Sequence, residues 1–432
     1  MEIATRALIA AGFDDVDRAR RFLASPELGA ADPERLLRGL ALAADPDQAL
    51  LSLVRLVERA PAVLELAEDV LSHHALFRLL GASEALGDFL VRHPEHADLL
   101  ALQRDREFMP AEARHLRAEL LRSVGADPEA EVPVATVLGT DGAGALRTAY
   151  RAALVDTASR DVSAADPTTA VGWVAVELAD LAAAAVEAGL AIARAEVAQA
   201  HPELGSEDVR FAVIGMGKCG ARELNYISDV DVIYVHGVRD GAAETTVDNA
   251  AMLAAELAKG TTRAVSAPGR EPALWELDAN LRPEGKDGAL SRTLDSHIAY
   301  LERWAHDWEF QALLKARAIA GDPCLGKEYE DAVATFVWAS AQRPGFVESV
   351  QRMRERVTDN IPSAEVDRQI KLGPGGLRDV EFTVQLLQLV HGRRDPEVRV
   401  RGTLPALKAL SAAAYISRDD AKHFGRDYKR LR

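Results

Sequence analysis

The sequence predicts an α+β protein, predominantly helical, with one small α/β unit set between flanking helical regions. Two observations carry this. Ala, Leu, Arg and Glu recur at three- and four-residue steps over most of the 432 residues, the spacing of helices with one buried face. Strand-like runs rich in β-branched residues, bounded by Gly, Pro and Asp, occur only between about 209 and 290.

Taken in order, residues 1–125 read as an N-terminal helical region of short hairpins. In "ALFRLLGASEALGDFLVRHPEHADLL" Gly81 ends one helix, Ser83 caps the next, and Leu86, Phe89 and Leu90 supply its buried side. His73, His74, His93 and His96 have no cysteine nearby and Pro94 interrupts the second pair, so they read as surface or capping residues rather than metal ligands. Residues 126–205 read as a linker, "GADPEAEVPVATVLGTDGAG", followed by long helix leading into the α/β unit. Asp166 is the expected N-cap, Pro167 the first helical residue, and Val171, Val174, Leu178, Leu181, Ala185, Ala188 and Ile192 line one face. Residues 206–320 form the catalytic unit, with strands in "VRFAVIG", "DVDVIYVHG" and "PALWELDANLR" and a helix in "TVDNAAMLAAELAKGTTRAV". Residues 321–432 read as a C-terminal helical region, and the ending "HFGRDYKRLR", without cap or breaker, suggests truncation from a longer chain.

Composition bounds the partners. A formal net charge of -16, from 67 acidic and 51 basic residues, disfavours a broad nucleic-acid surface and favours a protein or small-molecule partner. Cys219 and Cys324 are too few for a disulfide framework, which fits a reducing cytoplasm. The N-terminus lacks the pattern of an export signal, and no later apolar stretch reads as long enough to cross a bilayer, so no membrane association is expected. Lysine is scarce: there are nine, none before Lys218, so a lysine inside a motif carries extra weight.

The stretch "FAVIGMGKCGARELNYISDVDVIYVHG" carries the chemistry. Gly215, Gly217 and Gly220 match a dinucleotide-binding turn, yet only "ARELNYIS" separates them from the aspartates, too short for the crossover helix that such a fold needs. The alternative is a glycine turn whose N–H groups receive phosphate oxygens beside a metal-binding carboxylate pair. Asp229 and Asp231, two apart on a strand, share one face while Val230 and Val232 enter the core. Such a pair invites a divalent cation, Mg²⁺ by its preference for oxygen ligands. A third carboxylate is expected from Glu276 or Asp278 on a later strand. Two ions on this triad suit in-line displacement at phosphorus without a protein nucleophile.

Gly217-Lys218 followed by Asp229-x-Asp231 resembles the signature of the polymerase-β-like nucleotidyltransferase superfamily. "GMGKCGARELNYISDVDVIYV", "LDANLRPEGKDG", "ERWAHDWEFQALLKARAIAGD" and "IKLGPGGLRDVEFTVQLLQLVHG" together resemble the glutamine synthetase adenylyltransferases, bifunctional adenylyl-transferring and adenylyl-removing enzymes of bacteria. "LFRLLGASEALGDFLVRHPEHADLL" extends the resemblance over nearly the whole chain. It implies the N-terminal, adenylyl-removing half, in which inorganic phosphate attacks the AMP-tyrosine bond on glutamine synthetase to give ADP. It also implies that Asp229, Asp231 and Asp278 are the catalytic metal ligands, Asp278 being preferred to Glu276 by the pattern D-x-x-L-R-P, with Mg²⁺ as cofactor, two ions in all. The implied partners are glutamine synthetase, phosphate, ADP or ATP, a PII-type nitrogen-signalling protein and the C-terminal adenylyltransferase half. Cys219-Gly220-Ala221 departs from the Leu-Gly-Gly expected after the lysine, while the turn glycine is kept. Adenylylation from ATP, or a nucleotide-sensing domain without turnover, are the alternatives.

The candidate nucleotide- and phosphate-binding residues are Gly215, Gly217, Lys218, Ser228, Arg282, Lys315 and Arg317. Arg282 is a candidate phosphate clamp, and Lys315 and Arg317 are set near a helix end. Trp304 and Trp308, four apart, are expected to pack against the sheet. Asp379 and Glu381 read as first-turn helix stabilisers, with Lys371 and Arg378 as lesser candidates near the substrate tyrosine.

Overall fold

A computed structural model describes residues 4–100 and 110–432, except positions 360 and 363. Residues 101–109, assigned by sequence to the first helical region, lie outside the described residues. Most of the chain is helical around one five-stranded sheet, the predicted α+β class. The four-region division is replaced by two compact units with interleaved segments: residues 1–110 with 149–174, and 111–148 with 175–432. The proposed linker is interrupted by a helix, Gly139–Val162.

The first unit packs Pro33–Leu40, Pro46–Arg59, Val70–Ala82 and Glu84–Arg92 around buried Leu36, Leu53, Phe77, Leu80 and Phe89. An Asp-Pro pair starts helices repeatedly: the Asp32, Asp45 and Asp322 carboxylates accept a first-turn N–H while the following proline occupies the first helical position. Asp166 does the same for Pro167–Ala200. Ser83 caps Glu84–Arg92 as expected. His96 stacks on Phe89 and His93 lies tilted against it, with ring centroids 5.6 and 5.0 Å away.

Among the described residues, Pro167–Ala200 is long and apolar enough to cross a membrane by length and composition, which corrects the sequence reading. Buried atoms account for its apolarity: 72% of its most apolar stretch lies inside the fold.

The second unit holds the sheet. β1 (Val209–Gly215) lies between β2 (Val230–Val238) and β5 (Arg317–Gly321), antiparallel to both. β3 (Leu277–Asp278) and β4 (Ser291–Thr293) each pair with β2 in parallel. "PALWELDANLR" thus forms only a two-residue strand, which ends where the Asn280 N–H folds back on the Asp278 carboxylate. Glu244–Ser266 supplies the expected helix. Ala212, Ile214, Ile233 and Val235 of the sheet meet Phe310, Leu313, Tyr329 and Val333 in one core. Pro323–Ala339, Phe346–Asp359 and Leu377–His391 complete that side, and Tyr428 of Arg418–Leu431 packs with Val380 and Val384.

Candidate active site

The turn after β1 is built by close approach. Gly217 has φ +52, and a Cβ there would stand 2.6 Å from an Asp231 carboxylate oxygen, so only glycine fits between turn and aspartate. At Gly220 a Cβ would stand 2.0 Å from the Lys315 carbonyl oxygen, which locks the turn onto the start of β5. The Met216 N–H donates to the Asp231 carbonyl at 2.8 Å, fixing turn and second strand to one another. The helix opened by the turn, Gly217–Gly220, is a single turn, so the turn's own N–H groups rather than a helix N-terminus are what it offers. Gly215 sits inside β1, beside Ile319, and does not line the cleft.

The register of the sheet brings the carboxylates together. Asp231 pairs with Asp278 across β2 and β3, and Asp229 lies one residue before β2. Val230 and Val232 are fully buried beneath them, as period-two alternation requires. Asp278, rather than Glu276, is the residue aligned with Asp231. Burial, then the charges of Asp278 and Asp229, push the Asp231 carboxyl up to about 6, against the pull of Lys371 and Arg378. Asp278 also accepts the Asn280 N–H at 2.7 Å. Among the described residues no three His, Cys, Asp or Glu side chains close into a ready-made metal cage. Asp229 and Asp278 are both within electrostatic reach of Asp231.

A cleft of about 370 Å³ opens over this edge. The glycine turn and the start of β2 contribute Gly217, Lys218, Ser228, Asp229 and Asp231 to its lining; later segments contribute Trp308, Gln311, Lys315, Met353, Lys371, Arg378, Glu381, Phe382 and Gln385. Burial pulls the Lys218 ammonium down to about 8, aided by Arg432, Lys371 and Lys315 and opposed by Glu381. Lys315 is buried with its Nζ 3.4 Å from Glu223 Oε2. Burial raises the Glu381 carboxyl, but Lys315, Lys218, Arg378 and the Tyr428 hydroxyl outweigh it and hold it below the usual range. Gln311 donates to Gln385 at 2.8 Å in the same wall.

Two sequence candidates are spent elsewhere. The Arg282 guanidinium donates to the carbonyls of Gly288, Ala279 and Lys286 and ties its own loop rather than clamping phosphate. Arg317 donates to the Gly220 and Cys219 carbonyls, supporting the glycine turn from behind. Trp304 is 71% exposed while Trp308 lines the cleft, because the helix breaks at Trp304 and restarts after His306, so the four-residue spacing sets no common face.

Part of the cleft's lining, Met353, Lys371, Arg378, Glu381, Phe382 and Gln385, comes from segments assigned by sequence to a separate C-terminal region. Glu381 is buried in it instead of serving as an exposed first-turn charge. Asp379 holds Arg354 and the Gly375 N–H. Lysine scarcity was the available signal: Lys218, Lys315 and Lys371, three of nine lysines, line this cleft.

A small mixed sheet with a glycine turn, an aspartate pair opening the next strand and a third aspartate in register beside it is the unit of a polymerase-β-like nucleotidyltransferase. Residues 73–332 match the family model described as glutamate-ammonia ligase adenylyltransferase, and the chain belongs to that family. Residues 346–432 match the model described as GlnD PII-uridylyltransferase. Similar curated proteins are named bifunctional glutamine synthetase adenylyltransferase/adenylyl-removing enzyme. That of Leifsonia xyli subsp. xyli is 52% identical over 407 residues, covering 92% of this chain and 39% of the relative. That of Streptomyces avermitilis is 48% identical over 434 residues, covering 98% and 40%. That of Corynebacterium glutamicum is 42% identical over 435 residues, covering 92% and 39%. The chain thus spans about two fifths of the length of these relatives.

Proposed function

We propose that this chain removes AMP from adenylylated glutamine synthetase by phosphorolysis. The observation that carries the reading is the Asp231–Asp278 register at the edge of a cleft that Asp229 and Asp231 line together with Lys218, Lys315, Lys371 and Arg378. Attack of a phosphate oxygen on the AMP phosphorus breaks the bond to the tyrosine oxygen, which leaves and takes up a proton; the products are ADP and free tyrosine.

The donor set fits magnesium: burial first, and then the neighbouring charges of Asp278 and Asp229, hold the Asp231 carboxyl up to about 6, a cost that a cation on these hard oxygens relieves. Bound by Asp229, Asp231 and Asp278, two Mg²⁺ ions would neutralise charge on the attacking and leaving oxygens. Lys218, at the glycine turn, binds a phosphoryl oxygen of the AMP group, and the turn brings the phosphate close because Gly217 carries no side chain. Glu223 orients Lys315 toward the same space. The walls hold both reactants together and limit water, favouring phosphate over hydrolysis.

The relatives' names contain both directions of AMP transfer, and their greater length leaves room for an adenylylating half. That half and a PII-type signalling protein are proposed partners. The test incubates the protein with adenylylated glutamine synthetase, Mg²⁺ and phosphate, with and without ATP. Phosphate-dependent ADP is the expected product. Pyrophosphate formed from ATP on unmodified synthetase, with no ADP from the modified form, would reverse the assignment of direction; no product in either arm would leave a nucleotide-sensing domain.

A further inference from the structure

We propose that Lys371 and Arg378 form a second anion site in the cleft, separate from the glycine turn, which takes the phosphoryl group adjoining AMP in ADP. The placement rests on the nucleotidyltransferase reading above; the site itself rests on the loop that builds it. The Arg378 N–H donates to the Lys371 carbonyl at 3.0 Å and the Leu377 N–H to the Ile370 carbonyl at 3.0 Å. Two cationic side chains seven positions apart therefore leave the backbone side by side.

The loop between them is fixed. A Cβ at Gly376 would stand 2.4 Å from the Ile370 carbonyl oxygen, and one at Gly373 2.6 Å from that of Gln369. Arg354 Nε donates to Asp379 Oδ1 at 2.5 Å, while its Nη2 reaches the Leu372 and Gly373 carbonyls at 3.1 and 3.3 Å. The other Asp379 oxygen accepts the Gly375 N–H at 2.6 Å.

Among the described residues, neither cation of this loop gives its head group to a protein hydrogen-bond acceptor, although both lie within electrostatic reach of Asp231. Arg378 Nε is buried without a hydrogen bond, and its guanidinium lies over the Phe382 ring, 5.5 Å from the centroid. Lys371 makes no hydrogen bond or ion pair among the described residues. Arg282, Arg317 and Arg354, by contrast, each donate to two or more carbonyl or carboxylate acceptors. A buried donor without an acceptor is costly, and a guanidinium fork beside an ammonium matches a tetrahedral oxyanion. Both groups open into the cleft that holds Lys218 and the aspartates. The anion is either free phosphate, which becomes the β-phosphate of ADP as the tyrosine oxygen leaves with a proton, or the β-phosphate of a bound nucleotide.

The test measures binding of AMP, ADP and inorganic phosphate, each with Mg²⁺, by calorimetry on the wild-type chain and on Lys371→Gln, Arg378→Gln and Arg378→Lys. The wild type should bind ADP tighter than AMP by on the order of ten-fold or more, and either Gln substitution should erase most of that preference while AMP affinity stays within about two-fold. Arg378→Lys should restore charge without the fork and recover only part of it. Lys371 is exposed and makes no hydrogen bond or ion pair among the described residues, so Lys371→Gln keeps the test open if Arg378 variants misfold. An unchanged ADP preference in Lys371→Gln and in a folded Arg378 variant, or equal losses for AMP and ADP, would overturn the site. A raised phosphate KM in the variants identifies free phosphate as the occupant; weakened ATP binding with phosphate KM unchanged identifies the nucleotide's own phosphate. Because the ADP preference is read by binding, the site is judged even if the wild type releases no ADP from modified synthetase, a result that would count against the proposed function alone.

Discussion

Asp231 concentrates the conflict between stability and chemistry at a single carboxyl. Its folded pKa, about 6 against an unfolded 3.8, means that the native state binds more protons than the unfolded chain in that window. Stability of the metal-free protein therefore falls as pH rises from about 3.8 to about 6 and stays lower above it. Asp231→Asn removes the penalty: in EDTA at pH 7.5 it should stabilise the chain by about 1–3 kcal/mol, read by urea denaturation, with no gain at pH 3.5. The same substitution should lower phosphate-dependent ADP release by a factor on the order of 10³. An Asp231→Asn protein that is less stable in EDTA, or still active, contradicts this account. The aspartate pair and the lysine beside the glycines were legible as residues because two acids at spacing two, next to a glycine turn, have few other uses. The roles of Arg282 and Arg317 were not legible, because an arginine near a motif is equally suited to phosphate or to carbonyl oxygens until the acceptors' positions are known.

At the scale of elements, the glycine turn works through what it touches. A methyl at Gly220 would meet the carbonyl oxygens of Lys315 and Gly215 at 2.0 and 2.4 Å, and backbone on both sides leaves no side chain to move aside. Gly220→Ala should cost about 1–3 kcal/mol and displace Lys218 with the turn, so thermal melting and ADP release should fall together. A Gly220→Ala protein with wild-type melting would show that the turn is less closely held than these contacts require. Helix starts were readable because Asp-Pro combines a capping carboxylate with a preset φ. The third strand was over-read, since its apolar run extends well beyond the two residues that pair, and it ends at a local Asn280–Asp278 bond.

Across the whole molecule, distant segments complete what local sequence begins. Arg147, 2% exposed, donates to the carbonyls of Ala264, Glu271 and Arg263, joining Gly139–Val162 to the end of Glu244–Ser266 within the second unit. Arg147→Met fills the volume but leaves those carbonyls without their donor, and should destabilise the chain by about 2–4 kcal/mol, measured by urea denaturation; a change under about 0.5 kcal/mol would mean solvent replaces the guanidinium. The sequence by itself determined the helical class, the glycine turn and the acid pair, because each is set by residues within a few positions of one another. Only the tertiary structure decided that Asp278 stands in register with Asp231 and that Lys371, Arg378 and Glu381 wall the same cleft. Those pairings join residues scores of positions apart, and strand register and helix packing, rather than any local preference, choose which side chains meet.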